Sequence, residues 1–337
     1  MTTTTKPNDL PLPNYINWDR LITLLAEPRG NLTNTLSFMT KWFKAWTTLS
    51  PTRDIHGNFW LTIGDNPTTL FISHTDTVDP EAETMKKALT WEPVLGLLGV
   101  DKGAACLGAD DGAGVEALVC MAEAGVPGLY LWAANEERGA SGSRGFLRTM
   151  GNLLKDIRLV ISFDRRGTTE VITKQWSGDC ASVECGQALA DMLKGVNNLF
   201  TLGVGSFTDS SLFADQVSEC LNLSVGYLKE HTPQETLNLH YLDKLVGRLL
   251  TIPWGKLPIV RTPGDYGWFS PKVTTIGDDL LDMVYSHPEE VADFIEILDL
   301  EVDLRAYLSS TTTTATEETE DYSTYGDYNM PQVWPGD

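Results

Sequence analysis

Histidine and carboxylate side chains recur in this sequence close to the ends of short apolar runs. The residues with this placement are His74, Asp76, Asp110, Glu136, Glu137, Asp164 and His231. Imidazole and carboxylate groups are the usual protein ligands of zinc-like divalent ions, and one aspartate can bridge two such ions. Each motif alone is ordinary surface sequence, but their joint placement predicts a site for a pair of divalent metal ions.

Short apolar runs alternate with helical stretches, and these elements must position the candidate ligands. Strands are predicted over residues 59–63, 69–73, 129–134, 159–163, 170–173 and 221–228. Helices are predicted over 113–124, 143–154, 181–193, 210–216 and 242–250, after two helices between 17 and 49 that are broken at 28–30. This alternation predicts an α/β fold, a three-layer sandwich around a mixed, mostly parallel sheet. Sites in such folds form beyond the carboxyl ends of the strands, where the candidate ligands lie.

The second N-terminal helix carries an aromatic stripe. Phe38, Trp42 and Trp46 lie four residues apart, so they fall on one helix face. We expect this face to pack against the core rather than against a cofactor.

Several longer motifs resemble those of the co-catalytic zinc exopeptidases of the M20 and M28 type. The motifs are Asp54-Ile-His-Gly-Asn58, His74-Thr-Asp76-Thr-Val78, Leu107-Gly-Ala-Asp110-Asp-Gly-Ala-Gly114, Glu136-Glu-Arg-Gly-Ala-Ser-Gly-Ser143, Thr208-Asp209-Ser-Ser-Leu-Phe213 and His231-Thr-Pro-Gln-Glu235. Their order along residues 17–252 is similar to the order in that family. The resemblance therefore implies a zinc-exopeptidase fold and an amide-bond hydrolase.

The resemblance also implies a set of metal ligands. One ion would be bound by His74, Asp110 and Asp164, and the other by Asp110, Glu137 and His231. The implied cofactor is two Zn²⁺ ions, with Co²⁺ or Mn²⁺ as alternatives.

Two further residues receive catalytic roles by the same resemblance. Asp76 would accept a hydrogen bond from the far nitrogen of His74 and so fix its tautomer. Glu136 would take a proton from the attacking water and pass it to the leaving amine. The adjacent cations Arg165 and Arg166 could pair with a substrate carboxylate or form structural ion pairs.

One departure from the M20 pattern concerns a missing domain. M20 enzymes usually insert a sizeable lid or dimerisation domain after the strand that carries the third ligand. Here the interval between Asp164 and His231 is short and has the pattern of continuing α/β core. We therefore expect the fold without the M20 lid domain.

Two classes of function remain open. The first is an exopeptidase of the aminopeptidase, carboxypeptidase or dipeptidase kind, or an N-acyl amino acid deacylase, with a small peptide or an N-acyl amino acid as substrate. The second is a non-catalytic binding or assembly protein that retains the metallopeptidase scaffold. The presence of Glu136 beside all the ligand positions favours catalysis. A nucleotide-binding function is disfavoured, because no Gly-Lys-Ser/Thr follows the glycine-rich 108–114 segment.

Composition narrows the range of partners. The 337 residues include 46 acidic and 25 basic side chains, a formal net charge of -21. This balance argues against a nucleic-acid partner. We expect no membrane partner, since no stretch approaches the roughly 18 apolar residues of a membrane span. We also expect no signal peptide, since the segment Met1-Thr-Thr-Thr-Thr-Lys6 has no apolar core. Five scattered cysteines are typical of reduced thiols in a cytoplasmic protein. The oligomeric state is not predicted.

The acidity is concentrated near the C-terminus, which suggests the division of the chain. Residues 273–337 carry 16 acidic side chains and one basic side chain, Arg305. We expect an N-terminal arm over 1–16 and a catalytic domain over 17–253. An irregular wrap with acidic helices is expected over 254–308, and a disordered acidic tail over 309–337.

Overall fold

The computed structural model describes residues 14–92, 94–101 and 103–267. Most of the expected N-terminal arm, most of the 254–308 segment and the whole 309–337 tail therefore lie outside the described residues. Between 254 and 267 the chain has one short 3₁₀ turn, Trp254–Lys256, and is otherwise irregular. The Trp254 ring packs edge-on against Phe71 in the core, with 4.9 Å between the ring centroids.

The elements follow one another in an α/β pattern. In chain order they are α1 (Trp18–Leu25), α2 (Leu32–Trp46), β1 (Thr52–Arg53), β2 (Phe59–Ile63), β3 (Thr69–His74), β4 (Leu89–Glu92), β5 (Leu97–Val100), α3 (Ala109–Glu123), β6 (Gly128–Ala133), α4 (Ser141–Met150), β7 (Leu159–Arg165), β8 (Glu170–Gln175), β9 (Gly178–Asp179), α5 (Val183–Met192), β10 (Thr201–Val204), β11 (Glu219–Ser224), β12 (Tyr227–Leu228), β13 (Thr236–Asn238) and α6 (Leu239–Leu249). Further 3₁₀ turns span Glu136–Arg138, Gly151–Leu154 and Asp209–Phe213.

Nine strands form a large mixed sheet. Its order is β1-β2-β6-β3-β7-β11-β8-β10, and β9 pairs with β8. The four central strands β6, β3, β7 and β11 run parallel, and β2 joins β6 antiparallel. The carboxyl ends of the central strands therefore meet at one edge of the sheet.

Alternating side chains of the central strands face two separate apolar layers. In β3, Phe71 belongs to a core cluster that includes buried residues of α1, α2, α3, α5 and α6. Its neighbours Leu70 and Ile72 belong to a second cluster, with Phe146 of α4 and Phe213. Because successive strand residues point to opposite faces, helices cover both faces of the sheet. The predicted three-layer α/β fold is confirmed.

A second sheet of four short antiparallel strands has the order β12-β13-β5-β4, and of these only β12 falls within a predicted strand, 221–228. Its strands are two to four residues long, which is too short for an alternating pattern to be read from the sequence. This sheet matters for the site because His231 lies in the loop between β12 and β13.

Three of the predictions differ from the structure. The run 221–228, predicted as one strand, is broken after Ser224, and Gly226 at the break has a φ of 103°. The predicted helix 210–216 is a 3₁₀ turn. On α2 the buried residues are Thr35, Met39, Trp42 and Phe43, whereas Trp46 is exposed. The aromatic stripe therefore faces the core only in part.

Helix α3 packs closely on β3 and β7 because its first turns are built of small residues. Gly114 is the tightest point: a Cβ there would overlap the main-chain oxygen of Phe163 and the carboxylate of Asp111. The glycine is required by close approach to β7 and not by an unusual φ.

We expect Gly114→Ala to lower the free energy of unfolding by about 1–3 kcal/mol, the usual cost of overpacking. A mid-helix glycine-to-alanine change would otherwise stabilise by about 1 kcal/mol. The matched control is Gly151→Ala, where the backbone is helical (φ -56°, ψ -23°) and a Cβ meets open space. Urea unfolding should show the control to be neutral or stabilised. Equal stability of the two variants would contradict this packing argument.

Candidate metal centre

The five proposed metal ligands come from five different elements. His74 is the last residue of β3, and Asp164 lies near the end of β7. Glu137 lies in the 3₁₀ turn that follows β6, Asp110 in the first turn of α3, and His231 in the β12–β13 loop. The structure brings all five together beyond the carboxyl ends of the parallel strands.

The carboxylate of Asp110 lies between the two imidazole rings. Its Oδ1 is 3.0 Å from His74 Nε2, and that nitrogen is also 3.6 Å from Asp164 Oδ1. Its Oδ2 is 3.2 Å from His231 Nε2, which is 2.9 Å from Glu137 Oε1. Each oxygen of Asp110 thus faces the Nε2 atom of one histidine, and each of these Nε2 atoms lies near one further carboxylate, that of Asp164 or Glu137.

Burial and mutual repulsion raise the pKa values of two acidic groups in the cluster, Asp164 and Glu137. Burial raises the pKa of Asp164, and the nearby charge of Asp110 adds to this effect. Burial likewise raises the pKa of Glu137, to about 7, although the hydrogen bond from His231 opposes the shift. Such carboxylates need a compensating positive charge when they are ionised.

The pKa values of the two histidines are also raised, but by their acidic neighbours and against the effect of burial. Burial lowers the pKa of His74, but contacts with Asp110, Asp164 and Asp76 raise it well above its usual value. Hydrogen bonds to Asp110 and Glu137 raise the pKa of His231 to about 10. The cluster therefore attracts positive charge, which a divalent cation supplies more strongly than a proton.

The donor atoms fit zinc-like ions in chemistry and in spacing. Ligand atoms of His74, Asp110 and Glu137 all lie within 4.8 Å of one another, and so do those of His74, Asp111 and Asp164. The oxygens of Asp111 already accept the main-chain N–H groups of His74 and Gly114, each at 3.1 Å. Asp111 therefore positions His74 through these hydrogen bonds, while both oxygens of Asp110 face histidine nitrogens.

The carboxylate of Asp76 binds the main chain of the 3₁₀ turn Glu136–Arg138. Its Oδ1 accepts the main-chain N–H of Glu136 at 3.1 Å, and its Oδ2 accepts that of Glu137 at 3.2 Å. His74 Nδ1 lies 3.6 Å from Asp76 Oδ1 and 3.2 Å from the main-chain oxygen of Asp76. The Asp76 carboxylate thus positions the two glutamates, whereas the hydrogen-bond partner of His74 Nδ1 is the Asp76 main-chain oxygen and not the carboxylate that the sequence indicated.

The Glu136 side chain lines a small pocket beside the cluster. The pocket has a volume of about 140 Å³, and its lining includes Glu137, Asp164, Phe207, Tyr227 and His231. Burial raises the pKa of Glu136 well above its usual range, although the field of His74 opposes the shift. A carboxylate with a raised pKa is a stronger base, which suits proton transfer near neutral pH.

Asp164 is held by three residues to which sequence reasoning gave no such role. Thr208 Oγ1 donates to Asp164 Oδ2 at 2.6 Å, and the Tyr227 hydroxyl donates to Asp164 Oδ1 at 3.0 Å. The Asn222 side chain brackets the Asp164 main chain, accepting its N–H at 3.0 Å and donating to its oxygen at 2.8 Å. For Thr208, its place in one of the motifs was the available signal.

Two buried charged residues fix the loop before Asp110. Glu235 accepts the main-chain N–H groups of Gly108 and Asp110, both at 2.9 Å. Arg29, which is fully buried, donates to the main-chain oxygens of Thr75 and Gly108, both at 2.8 Å. Arg29 therefore ties the loop after β3 to the loop before α3.

The remaining sequence candidates play other parts. Arg165 pairs with Glu170 at 2.9 Å and Arg166 with Glu230 at 3.0 Å, so both form structural ion pairs. Asp209 is buried next to the cluster, and burial raises its pKa to about 7. Among the described residues, no helix has the length and apolar character needed to cross a membrane.

Comparison with known proteins bears on the fold. The sequence matches no protein-family model and no curated protein. A tripeptidase from Staphylococcus aureus matches with a TM-score of 0.56 and 14% identity over 70% of this chain and 97% of that one. The TET1 peptidase of Pyrococcus horikoshii, described as assembling into a tetrahedron or a large octahedral shell, matches with a TM-score of 0.50 and 17% identity over 69% and 97%. The chain has the α/β fold of these peptidases.

Proposed function

We propose that this protein is a di-zinc metallohydrolase that cleaves an amide bond, most specifically an exopeptidase acting on small peptides. The observation that carries the proposal is the placement of Asp110, whose two oxygens each face a different histidine. A single metal ion would need only one histidine and one oxygen of Asp110, whereas the cluster offers two such sets. Co²⁺ or Mn²⁺ could replace zinc, since the same imidazole and carboxylate donors bind them.

The residues divide into holding and reacting groups. His74, Asp110 and Asp164 would hold one ion, and Asp110, Glu137 and His231 the other. The bound ions would polarise the scissile carbonyl and stabilise the negative charge that develops on its oxygen.

Glu136 performs the proton transfers. It takes a proton from the water that attacks the carbonyl carbon and delivers it to the leaving amine, so one carboxylate serves both steps. Asp76 keeps Glu136 and Glu137 in position through their main-chain N–H groups. Tyr227 and Thr208 keep the Asp164 oxygens in place.

The size of the pocket supports a small substrate. A volume of about 140 Å³ is well below the roughly 300–1,000 Å³ of pockets that enclose drug-sized ligands. The pocket therefore has room for one substrate residue beside the cluster, but not for an internal segment of a folded protein. The peptidase fold supports a peptide over an N-acyl amino acid, which remains the alternative substrate.

A substrate screen separates hydrolysis from the non-catalytic alternative. Zinc-loaded protein should be offered aminoacyl amides, dipeptides, tripeptides and N-acyl amino acids, with product formation followed by chromatography. Hydrolysis of the peptide classes supports the exopeptidase, and hydrolysis of the N-acyl class alone supports the deacylase. A protein that binds two ions and hydrolyses none of these compounds would instead fit a binding or assembly role.

A further inference from the structure

A groove adjoins the small pocket that Glu136 lines. It has a volume of about 610 Å³, and Ser206 and Phe207 line both the groove and the pocket. The wall they share is held to the end of β8, because Trp176 N–H donates to the main-chain oxygen of Ser206 at 2.9 Å. A ligand longer than the pocket would have to pass these two residues to reach the groove.

Two arginines give the groove a positive side. Arg144 and Arg148 lie one turn apart on α4, and both side chains line the groove and are exposed. Arg144 Nε donates to the main-chain oxygen of Gly139 at 3.0 Å. Within the described part of the chain, Arg148 has no hydrogen-bond or ion-pair partner.

One carboxylate also lines the groove, but it is already engaged. Asp215 Oδ1 accepts the Tyr266 hydroxyl at 2.7 Å. The rest of the lining is amphipathic: Leu147 and Leu212 contribute partly buried apolar surface, and the Trp176 side chain is 62% exposed. Two arginines against one carboxylate leave the groove with a net positive charge beside apolar surface.

We propose that this groove binds the carboxyl-terminal part of a short peptide, whose free carboxylate pairs with Arg148 and Arg144. The inference rests on the proposed function and adds to it the direction of the substrate. Guanidinium groups pair with carboxylates through parallel hydrogen bonds, a geometry that an amide or an ester cannot reproduce. With the carboxyl end in the groove, the residue at the cluster carries the free amine, so the enzyme is an aminopeptidase for short free-acid peptides.

The test compares alanine peptides of two to five residues that end in a free carboxylate or in an amide. We expect zinc-loaded wild-type protein to prefer the free acid at one or more lengths by about 10-fold in kcat/KM. Arg148→Gln should reduce this preference to below about 2-fold, through a higher KM for the acid and with no change for the amide. Arg148→Lys should retain part of the preference.

The matched control is Arg53→Gln on β1, an exposed arginine that lines neither the pocket nor the groove. It should leave both substrates unaffected. Equal rates on acid and amide at every length, or a preference that persists in Arg148→Gln, would overturn the inference while leaving the proposed function intact.

A binding measurement keeps the two proposals apart. Calorimetry on zinc-loaded Glu136→Gln protein, with and without Arg148→Gln, reports affinity without turnover. Tighter binding of the acid that disappears with Arg148→Gln supports the groove, and equal affinity for acid and amide overturns it. Absence of turnover by wild-type protein on every peptide would instead count against the proposed function.

Discussion

Replacing Glu136 with glutamine should lower turnover by about 10²–10⁴-fold, the range typical of general acid–base catalysis, while two metal ions stay bound. The glutamine has nearly the same shape but cannot accept a proton. Its main-chain N–H still donates to Asp76, so the turn that carries it should remain intact. Steady-state kinetics together with elemental analysis of the variant measures both effects.

The adjacent residue provides the matched comparison. Glu137 Oε1 lies 2.9 Å from His231 Nε2, so Glu137→Ala should lose metal and activity together. Near-wild-type turnover in Glu136→Gln would show that Glu136 is not the base. Loss of metal in Glu136→Gln, with retention in Glu137→Ala, would mean that the two roles are exchanged.

Removal of Asp110 should abolish binding of both ions, whereas removal of His231 should weaken only one. The reason is geometric, because Asp110 places one oxygen near each histidine and His231 contacts only the Asp110–Glu137 half of the cluster. We expect Asp110→Ala to retain close to no zinc and no measurable activity. His231→Ala should retain close to one ion.

The control for this pair is Asp215→Asn, an exposed carboxylate outside the cluster. It should bind two ions, and circular dichroism should show that all three variants are folded. A folded Asp110→Ala protein that keeps two tightly bound ions would contradict the shared-ligand geometry.

The proposed ligands could be predicted from the sequence because they lie close to the ends of buried apolar strands. The central strands β3, β6 and β7 are buried on both faces, so they stand out as continuous apolar runs, and a polar residue lies at or within two positions of the end of each. The proposed ligands His74 and Asp164 are located by these ends. The same placement close to the ends of apolar runs indicated Asp110, Glu137 and His231, and the resemblance to the zinc exopeptidases divided the five residues between two ions.

The supporting residues could not be predicted because their contacts are long-range. Glu235 reaches Gly108 across 127 positions of the chain, and Arg29 reaches the same residue across 79. No local pattern reports such hydrogen bonds, and a buried charged residue is indistinguishable in sequence from an exposed one. Apart from β12, the strands of the second sheet were not predicted for a related reason. These short strands are defined by pairing and not by composition.

The error on α2 shows the limit of counting helical positions. Phe38, Trp42 and Trp46 do lie on one face, yet the helix is buried along Thr35, Met39, Trp42 and Phe43, a stripe rotated from the predicted one. Trp46 is the last residue of the helix and is 37% exposed. Aromatic spacing identified the helix, but only tertiary packing decides which part of a face is covered.

The central claim is a two-metal centre, and counting the metal tests it most directly. Protein purified without chelators should contain close to two zinc-like ions per chain by elemental analysis, and metal-stripped protein should take up two equivalents of Zn²⁺ in a calorimetric titration. Wild-type protein that is isolated without metal and takes up no zinc in that titration would contradict the account.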